Sequence, residues 1–406
     1  MTKKVDLIGY LIETPNLLSI FIFSIFFNIA SPILLEISES AKISPENSGL
    51  IFSFFAIGAV LGQITSISFN KKFQKLNIIL FCHFILLIFT IILSFTSNFI
   101  LFYILYNVSG YLLGVISLQA NQYILESKVK NKEALITVFV TFMPVGAFVA
   151  PIISSFIIGR NLDYRYMYYI MAVFIIINII LYAVILGRRR KQDIIIKENS
   201  KFLLKDIFNS KSKNIIFILV ISAICFYACS ETIVANWVPT FFRLTSDFTV
   251  QNASILLNIF WLFIIIGRII SIMISPIIKS INLMIIGSII AVIVLVAILF
   301  VDSEYIYIIY LLIAFAGLGC SSIYPLLYTM GATLYKKGIP FIITILFIST
   351  NIGKILGPIV AKLASEIGLI FSFSFSFFLM AFVTLLLILV SIFLNRGLDT
   401  GGIIKE

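Results

Sequence analysis

Three charged residues stand deep within stretches otherwise apolar enough to be shielded from water: Glu231, Arg268 and Lys354. A carboxylate in such surroundings can take up and release a proton or accept a hydroxyl, and a nearby cation is its natural counter-charge. Counted along helices at about 1.5 Å per residue, Glu231 lies roughly 25 Å and Lys354 roughly 20 Å from the starts of their segments. Both segments run in the same direction, so the two charges share a depth and are expected to pair. Such a pair either lines a cavity, where a solute or proton competes with it, or is a static brace between helices. Arg268 lies roughly 13 Å from the end of its segment. It is expected to snorkel toward that membrane face and bond helix-end carbonyls; the alternative is a gating role.

Other chemistries lack their residues. No Gly-x-x-x-x-Gly-Lys-Ser/Thr run exists to hold nucleotide phosphates. No His-Glu-x-x-His or Gly-x-Ser-x-Gly is present either, which counts against a membrane protease, lipase or kinase. Cys82, Cys225, Cys229 and Cys320 fall inside apolar segments, without metal-ligand or disulfide spacing. No metal or other cofactor is expected. The single histidine, His83, reads as a residue tolerated near a membrane face rather than a proton relay.

The elements that must position these charges follow from composition. The 406 residues are 61% hydrophobic and 12% charged, with mean hydropathy +1.14, against about 25% charged in a soluble domain. Lipid is the solvent such a chain needs. The net charge of +11 sits in short loops, so it marks topology and not nucleic-acid binding. The first sixteen residues lack the cleavage site of a signal peptide.

Twelve segments reach the roughly 20 apolar residues a spanning helix requires: 17–37, 47–68, 76–97, 99–123, 135–158, 166–186, 214–242, 250–277, 283–301, 305–333, 339–364 and 370–394. A tight Ser97-Asn98 turn joins the third and fourth. Twenty-two of the 29 Lys and Arg residues lie on the side of the N-terminus. Basic loops stay cytoplasmic, so both termini are expected inside the cell. The basic stretch that opens with Arg188-Arg189-Arg190-Lys191 divides the chain. The expected organisation is a six-helix bundle over 1–187, a cytoplasmic linker over 188–213, and a second bundle over 214–406.

The halves share features. Gly146-x-x-x-Ala150-Pro151 in the fifth segment matches Gly353-x-x-x-Gly357-Pro358 in the eleventh. Small residues four apart permit close helix contact, and the proline is expected to break the backbone ladder. Gly58-x-x-x-Gly62 in the second segment has a partial counterpart in Gly267, and Gly110 and Gly114 in the fourth correspond to Gly317 and Gly319 in the tenth. Two parallel six-helix repeats describe the all-α major facilitator architecture, in which the halves rock about a midplane site.

The run from Phe226 to Phe241, containing Tyr227, Glu231 and Trp237, resembles the seventh helix of the fucose/galactose/glucose permease family of that superfamily. Phe260-Trp261 with Gly267-Arg268, the run Gly317 to Pro325, and Gln119-Ala120-Asn121 extend the resemblance. Two acids of the fucose/proton symporter pattern are replaced, by Ser31 and Ser117, and Asn70-Lys71-Lys72 lacks the superfamily's usual Asp. The resemblance implies that helices one, four, seven and ten line the cavity. They supply Asn28, Gln119, Asn121, Gln122, Glu231, Asn236, Trp237, Ser321, Tyr324 and Tyr328. Amides and acids facing aromatic rings suit a hydroxyl-rich sugar. Trp237 is expected in the cavity, with an interfacial belt as the alternative; Asn121 is expected either at substrate or in a helix–helix hydrogen bond.

The expectation is a monomeric secondary transporter in a bacterial cytoplasmic membrane. It would take up a small polar solute, a monosaccharide first, with a proton or sodium as possible partner and Glu231, Lys354 and Arg268 as coupling or gating residues. Efflux of amphiphiles by the same fold is the alternative, and a membrane enzyme or sensor the least favoured.

Overall fold

The computed structural model describes residues 14–69, 73–96, 98–126, 132–189, 211–246, 248–335 and 339–395. Most of the expected linker, the Asn70-Lys71-Lys72 run and Ser97 lie outside them. The described residues form helices and turns without strands. Among the described residues, twelve helices are long and apolar enough to cross a membrane. They are α1 (Thr14–Ala41), α2 (Pro45–Ser66), α3 (Lys75–Phe95), α4 (Phe99–Ile124), α5 (Thr141–Gly159), α6 (Tyr166–Ile185), α7 (Lys211–Thr245), α8 (Val250–Ile274), α9 (Ser280–Ile298), α10 (Ile306–Thr333), α11 (Phe341–Ser365) and α12 (Leu369–Asn395). Helix is the form because in hydrocarbon every backbone N–H and C=O must be satisfied within its own segment. The chain clusters into two compact units, Met1–Glu198 and Asn199–Glu406.

Each unit uses the same pairings. In the first, α2 packs on α4 and α1 on α5; in the second, α8 packs on α10 and α7 on α11. The α2–α4 crossing brings backbone against backbone. A Cβ at Gly58 or Gly62 would collide with the carbonyl of Asn107 or Tyr111, and one at Gly110 or Gly114 with that of Phe55 or Ala59. The matched glycines of α5 and α11 act alike: Gly146 lies on the Phe21 carbonyl of α1, and Gly353 on the Cys225 carbonyl of α7. Lipid tails are as apolar as leucine, so shape fit of this kind holds the helices together.

The structure departs from expectation at the prolines and at two helices. α5 and α11 run on through Pro151 and Pro358; each ring removes one N–H without ending its helix, and Pro358 leaves the Lys354 carbonyl without its helical donor. The breaks lie elsewhere. α1 is helical over Thr14–Asn28, passes through a 3₁₀ turn at Ser31–Ile33, and resumes over Leu34–Ala41. Pro32 cannot donate to the ladder there, and the Asn28 amide turns back on the Ser24 carbonyl at 2.8 Å. The resumed helix carries Glu36 and Glu39 in its outer turns. α10 breaks between Ile306–Cys320 and Ile323–Thr333. The Ser321 hydroxyl caps the Leu318 carbonyl at 2.6 Å, and Pro325 has no N–H to return to the Ser321 carbonyl.

Candidate substrate and coupling site

The second unit gathers all three deep charges. Glu231 is half-buried on α7, and its Oε1 accepts a hydrogen bond of 2.8 Å from Tyr227 Oη, one turn earlier. The same Tyr227 oxygen lies 3.1 Å from the Cys320 carbonyl at the α10 break. A phenol has one hydrogen, so it serves one of these acceptors at a time. Lys354 on α11 and Arg268 on α8 both act electrostatically on Glu231. The cations are only 6% and 7% exposed, so the acid is the most accessible member of the group.

Arg268 corrects the expectation drawn from its depth. It is buried, and its charge acts on Tyr227, Glu231 and Tyr324, so it belongs electrostatically to the cluster and is not an exposed residue at the membrane face. Cα depth misjudges a side chain that reaches about 6–7 Å. In a medium of low dielectric the attraction of the acid holds it in the group.

Tyr227 stacks on Tyr324 at 6.4 Å between ring centroids, and Tyr324 continues to Tyr328 at 6.0 Å. The Tyr324 hydroxyl is buried near Thr350 without meeting hydrogen-bond geometry. Ser321 sits at the α8–α10 crossing, against Gly267. Trp237 is buried, and its Nε1 donates to Ser372 Oγ of α12 at 2.5 Å. Its indole is therefore an anchor between α7 and α12, with neither the exposure of a belt residue nor a free donor.

Asn236 is buried with both amide atoms unpartnered. Thr240, one turn on, is in the same condition, and so are the Ser254 hydroxyl, Asn258 Oδ1 and Trp261 Nε1 of α8. Counted outward from the turn joining α7 and α8, Asn236 and Asn258 share a depth to within about 2 Å, as do Thr240 and Ser254. Sequence reasoning selected Asn236 but missed Thr240, Ser254 and Asn258. The i,i+4 spacing on both arms of one hairpin was the available signal.

In the first unit, Gln119 is buried with Nε2 donating to Ser66 Oγ at 2.6 Å and to the Ser66 carbonyl at 3.2 Å, which ties α4 to α2. Its Oε1 is unpartnered, as are both amide atoms of buried Asn121. Gln122 is also buried. Ser117 returns its hydroxyl to the Gly114 carbonyl.

His83 corrects the sequence reading. It is fully buried, with Nδ1 2.8 Å from the Ile79 carbonyl and Nε2 3.1 Å from Asn178 Nδ2. A carbonyl only accepts, so Nδ1 carries the proton and neutral Nε2 accepts from the amide. Asn178 also donates to Ser19 Oγ, which meets Tyr182 Oη, which donates to Asn16 Oδ1. Five polar side chains thus join α1, α3 and α6 in one buried chain of hydrogen bonds.

A twelve-helix protein with paired six-helix units and a polar cluster at a broken helix has the form of a membrane transporter. A family model described as the Major Facilitator Superfamily matches residues 17–338, and the chain belongs to that superfamily. It is a multi-pass transporter, not an enzyme. A curated relative, "Protein TsgA homolog" of Buchnera aphidicola subsp. Baizongia pistaciae (strain Bp), is 26% identical over 377 residues, spanning 89% of this chain and 91% of the relative. Among solved structures, a point mutant of the nucleoside transporter NupG superposes with TM-score 0.71 at 15% identity, covering 94% of this chain and 99% of that one. A bacterial homolog of the human lysosomal transporter Spinster, inward-facing and unoccupied, gives 0.68 at 16% identity, with 97% of each chain covered. At these identities the structural likeness speaks for the fold alone.

Proposed function

We propose that this transporter takes up a small hydroxyl-rich solute, a monosaccharide first, by alternating access across a bacterial cytoplasmic membrane. Both termini would lie inside, and segments 1–187 and 214–406 would be the two moving bodies, joined by the linker 188–213. The observation that carries the reading is the half-buried Glu231, bonded to Tyr227 and flanked by two buried cations. An ionisable group reached by solvent inside a bundle is the usual mark of a solute or ion path. The resemblance of the Phe226–Phe241 run to the sugar permeases supports the solute class. Glu231 is the coupling residue in this reading, with a proton as the driving ion, sodium as the alternative, and a monomer as the working unit.

A nucleoside is the second reading. The Tyr227–Tyr324–Tyr328 ladder offers faces on which a base would stack, and one solved structure of the same fold is a nucleoside transporter. Proteoliposomes holding the full chain test all of this. Labelled glucose, galactose, fucose, uridine and an amphiphilic dye are offered with and without an imposed pH gradient. Saturable uptake of one sugar, stimulated by external acid and lost in Glu231→Gln, is expected. Uptake of uridine alone would move the assignment to nucleosides. Movement of the dye alone would establish the efflux alternative.

A further inference from the structure

We propose a second, charge-free binding site on α8, at Asn258 and Trp261, which receives a neutral hydroxyl-rich solute such as a sugar apart from the cluster at Glu231. It rests on the reading above for the class of solute, but not for the role of Glu231.

The faces of α8 are fixed by what they touch. A Cβ on Gly317 would meet the Phe260 carbonyl and Phe263, and one on Gly267 would meet Ser321, so one face packs on α10. Ile255, Leu262 and Ile269 are exposed and mark a second face. Ser254, Asn258, Trp261 and Arg268 follow one another at steps of four, three and seven residues. At 3.6 residues per turn they fall within about 80° of arc, on a third face. Trp261 lies about 10 Å along the axis from Arg268, and Ser254 about 10 Å further toward the α7–α8 turn. The charge of Arg268 acts on Tyr227 and Glu231, so this face carries the cluster at one end and uncharged residues at the other. Three polar atoms of the uncharged part lack a partner among the described residues: Ser254 Oγ, Asn258 Oδ1 and Trp261 Nε1. Ser254 and Trp261 are 1% and 7% exposed. Buried polar atoms are normally satisfied; three in succession along one face of a membrane helix mark a surface that a polar guest completes.

The atoms define the guest. Residues 250–267 contain no charged side chain. An indole N–H only donates and would repel a cation; the Asn258 oxygen only accepts and would repel an anion; the serine hydroxyl does both. A set mixed in this way fits groups that donate and accept at once, as hydroxyls do. Phe260 meets the Trp261 ring at 5.3 Å and 67°, edge to face, and so holds its plane. The indole face suits the C–H surface of a sugar ring, which water alone would leave unused. Asn236 and Thr240 of α7 are unpartnered too, but they continue the line of Cys225, Cys229 and Thr232 that meets Gly353 and Gly357, and so lie on the α11 side of α7.

Trp237 and Trp261 are the two tryptophans of the chain, so Trp237→Phe leaves the proposed site as the sole indole. Its fluorescence would be titrated with glucose, galactose, fucose and uridine on the purified full chain. At least one sugar should change it saturably, and should still do so when Glu231→Gln is added. Asn258→Leu should weaken that sugar about tenfold or more, whereas Ile255→Leu, on the exposed face, should leave its affinity unchanged. If Trp237→Phe does not fold, the native response minus that of Trp261→Phe replaces it. Silence from every sugar would overturn the second site; Glu231-dependent uptake in the same preparation would leave the proposed function standing. A response lost with Glu231→Gln would mean one site instead of two, and would also overturn it. A response that persists in a protein whose uptake ignores Glu231→Gln would uphold the second site and overturn the role given to Glu231. A response to uridine alone would overturn the sugar class.

Discussion

Replacing Tyr227 with phenylalanine removes a single oxygen from the centre of the site and leaves the ring stacked on Tyr324. Two contacts are lost on paper, 2.8 Å to Glu231 and 3.1 Å to the Cys320 carbonyl. The phenol has one hydrogen, so the energies do not add. A hydrogen bond to a charged group contributes about 1.5–3 kcal/mol, and that is the ceiling expected here. Each unit is comparable to a domain of about 200 residues, for which 1 kcal/mol moves Tm by about 2–4 °C. The expected fall is therefore about 3–12 °C, read by thermal unfolding of the detergent-solubilised protein. The same reasoning makes the effect depend on Glu231. In Glu231→Gln the phenol can still donate to the amide oxygen, but to a neutral acceptor, so removing it there should cost about 0.5–1.5 kcal/mol. The four proteins form a double-mutant cycle. A coupling energy below about 0.3 kcal/mol would mean that the two side chains act independently, and the bridging role of Tyr227 would be refuted.

Two other changes test the scaffold. Gly58→Val places a branched side chain against the Asn107 carbonyl of α4; the crossing must open, and loss of folded, monodisperse protein by size-exclusion chromatography is expected, whereas Ile64→Val on the exposed side of the same helix should be silent. Asn178→Leu removes the centre of the chain linking His83 to Ser19 and leaves the imidazole Nε2 without a donor, for about 1–3 kcal/mol; His83→Leu added to it should recover part of that loss, and a fully additive pair would refute the network.

The spans were legible because length and hydropathy are local properties, and a bilayer demands both. The glycine registers of α5 and α11 were legible for the same reason: a repeat in sequence became a repeat in contact, Gly146 on α1 and Gly353 on α7. What failed was pairing at a distance. The partners of His83 lie on two other helices, at Asn16 and Ser19 and at Asn178 and Tyr182. Their i,i+3 and i,i+4 spacing marked polar stripes, but nothing local says which stripes meet. Arg268 failed because a depth assigned to Cα ignores the length and freedom of the side chain. The α10 break was written in Ser321, Ser322 and Pro325, residues that membrane helices also tolerate unbroken, as Pro358 in α11 demonstrates.

The glycine crossings also set an order of assembly in time. α2 closes on α4 through Gly58 and Gly114, and α1 closes on α5 where Phe21 meets Gly146, so the inner pair is complete before the outer one can form. In the second unit α7 waits in the same way for α11, where Cys225 meets Gly353. At a synthesis rate of about 5–20 residues per second, each outer closure comes roughly 6–25 s after its first helix has emerged. During that interval α1 and α7, the latter carrying Glu231, stand in the bilayer without their principal neighbours. The nascent chain therefore passes twice through a window in which a polar helix depends on lipid, on the inner pair or on the insertion machinery for shelter, and each window closes with the arrival of one glycine.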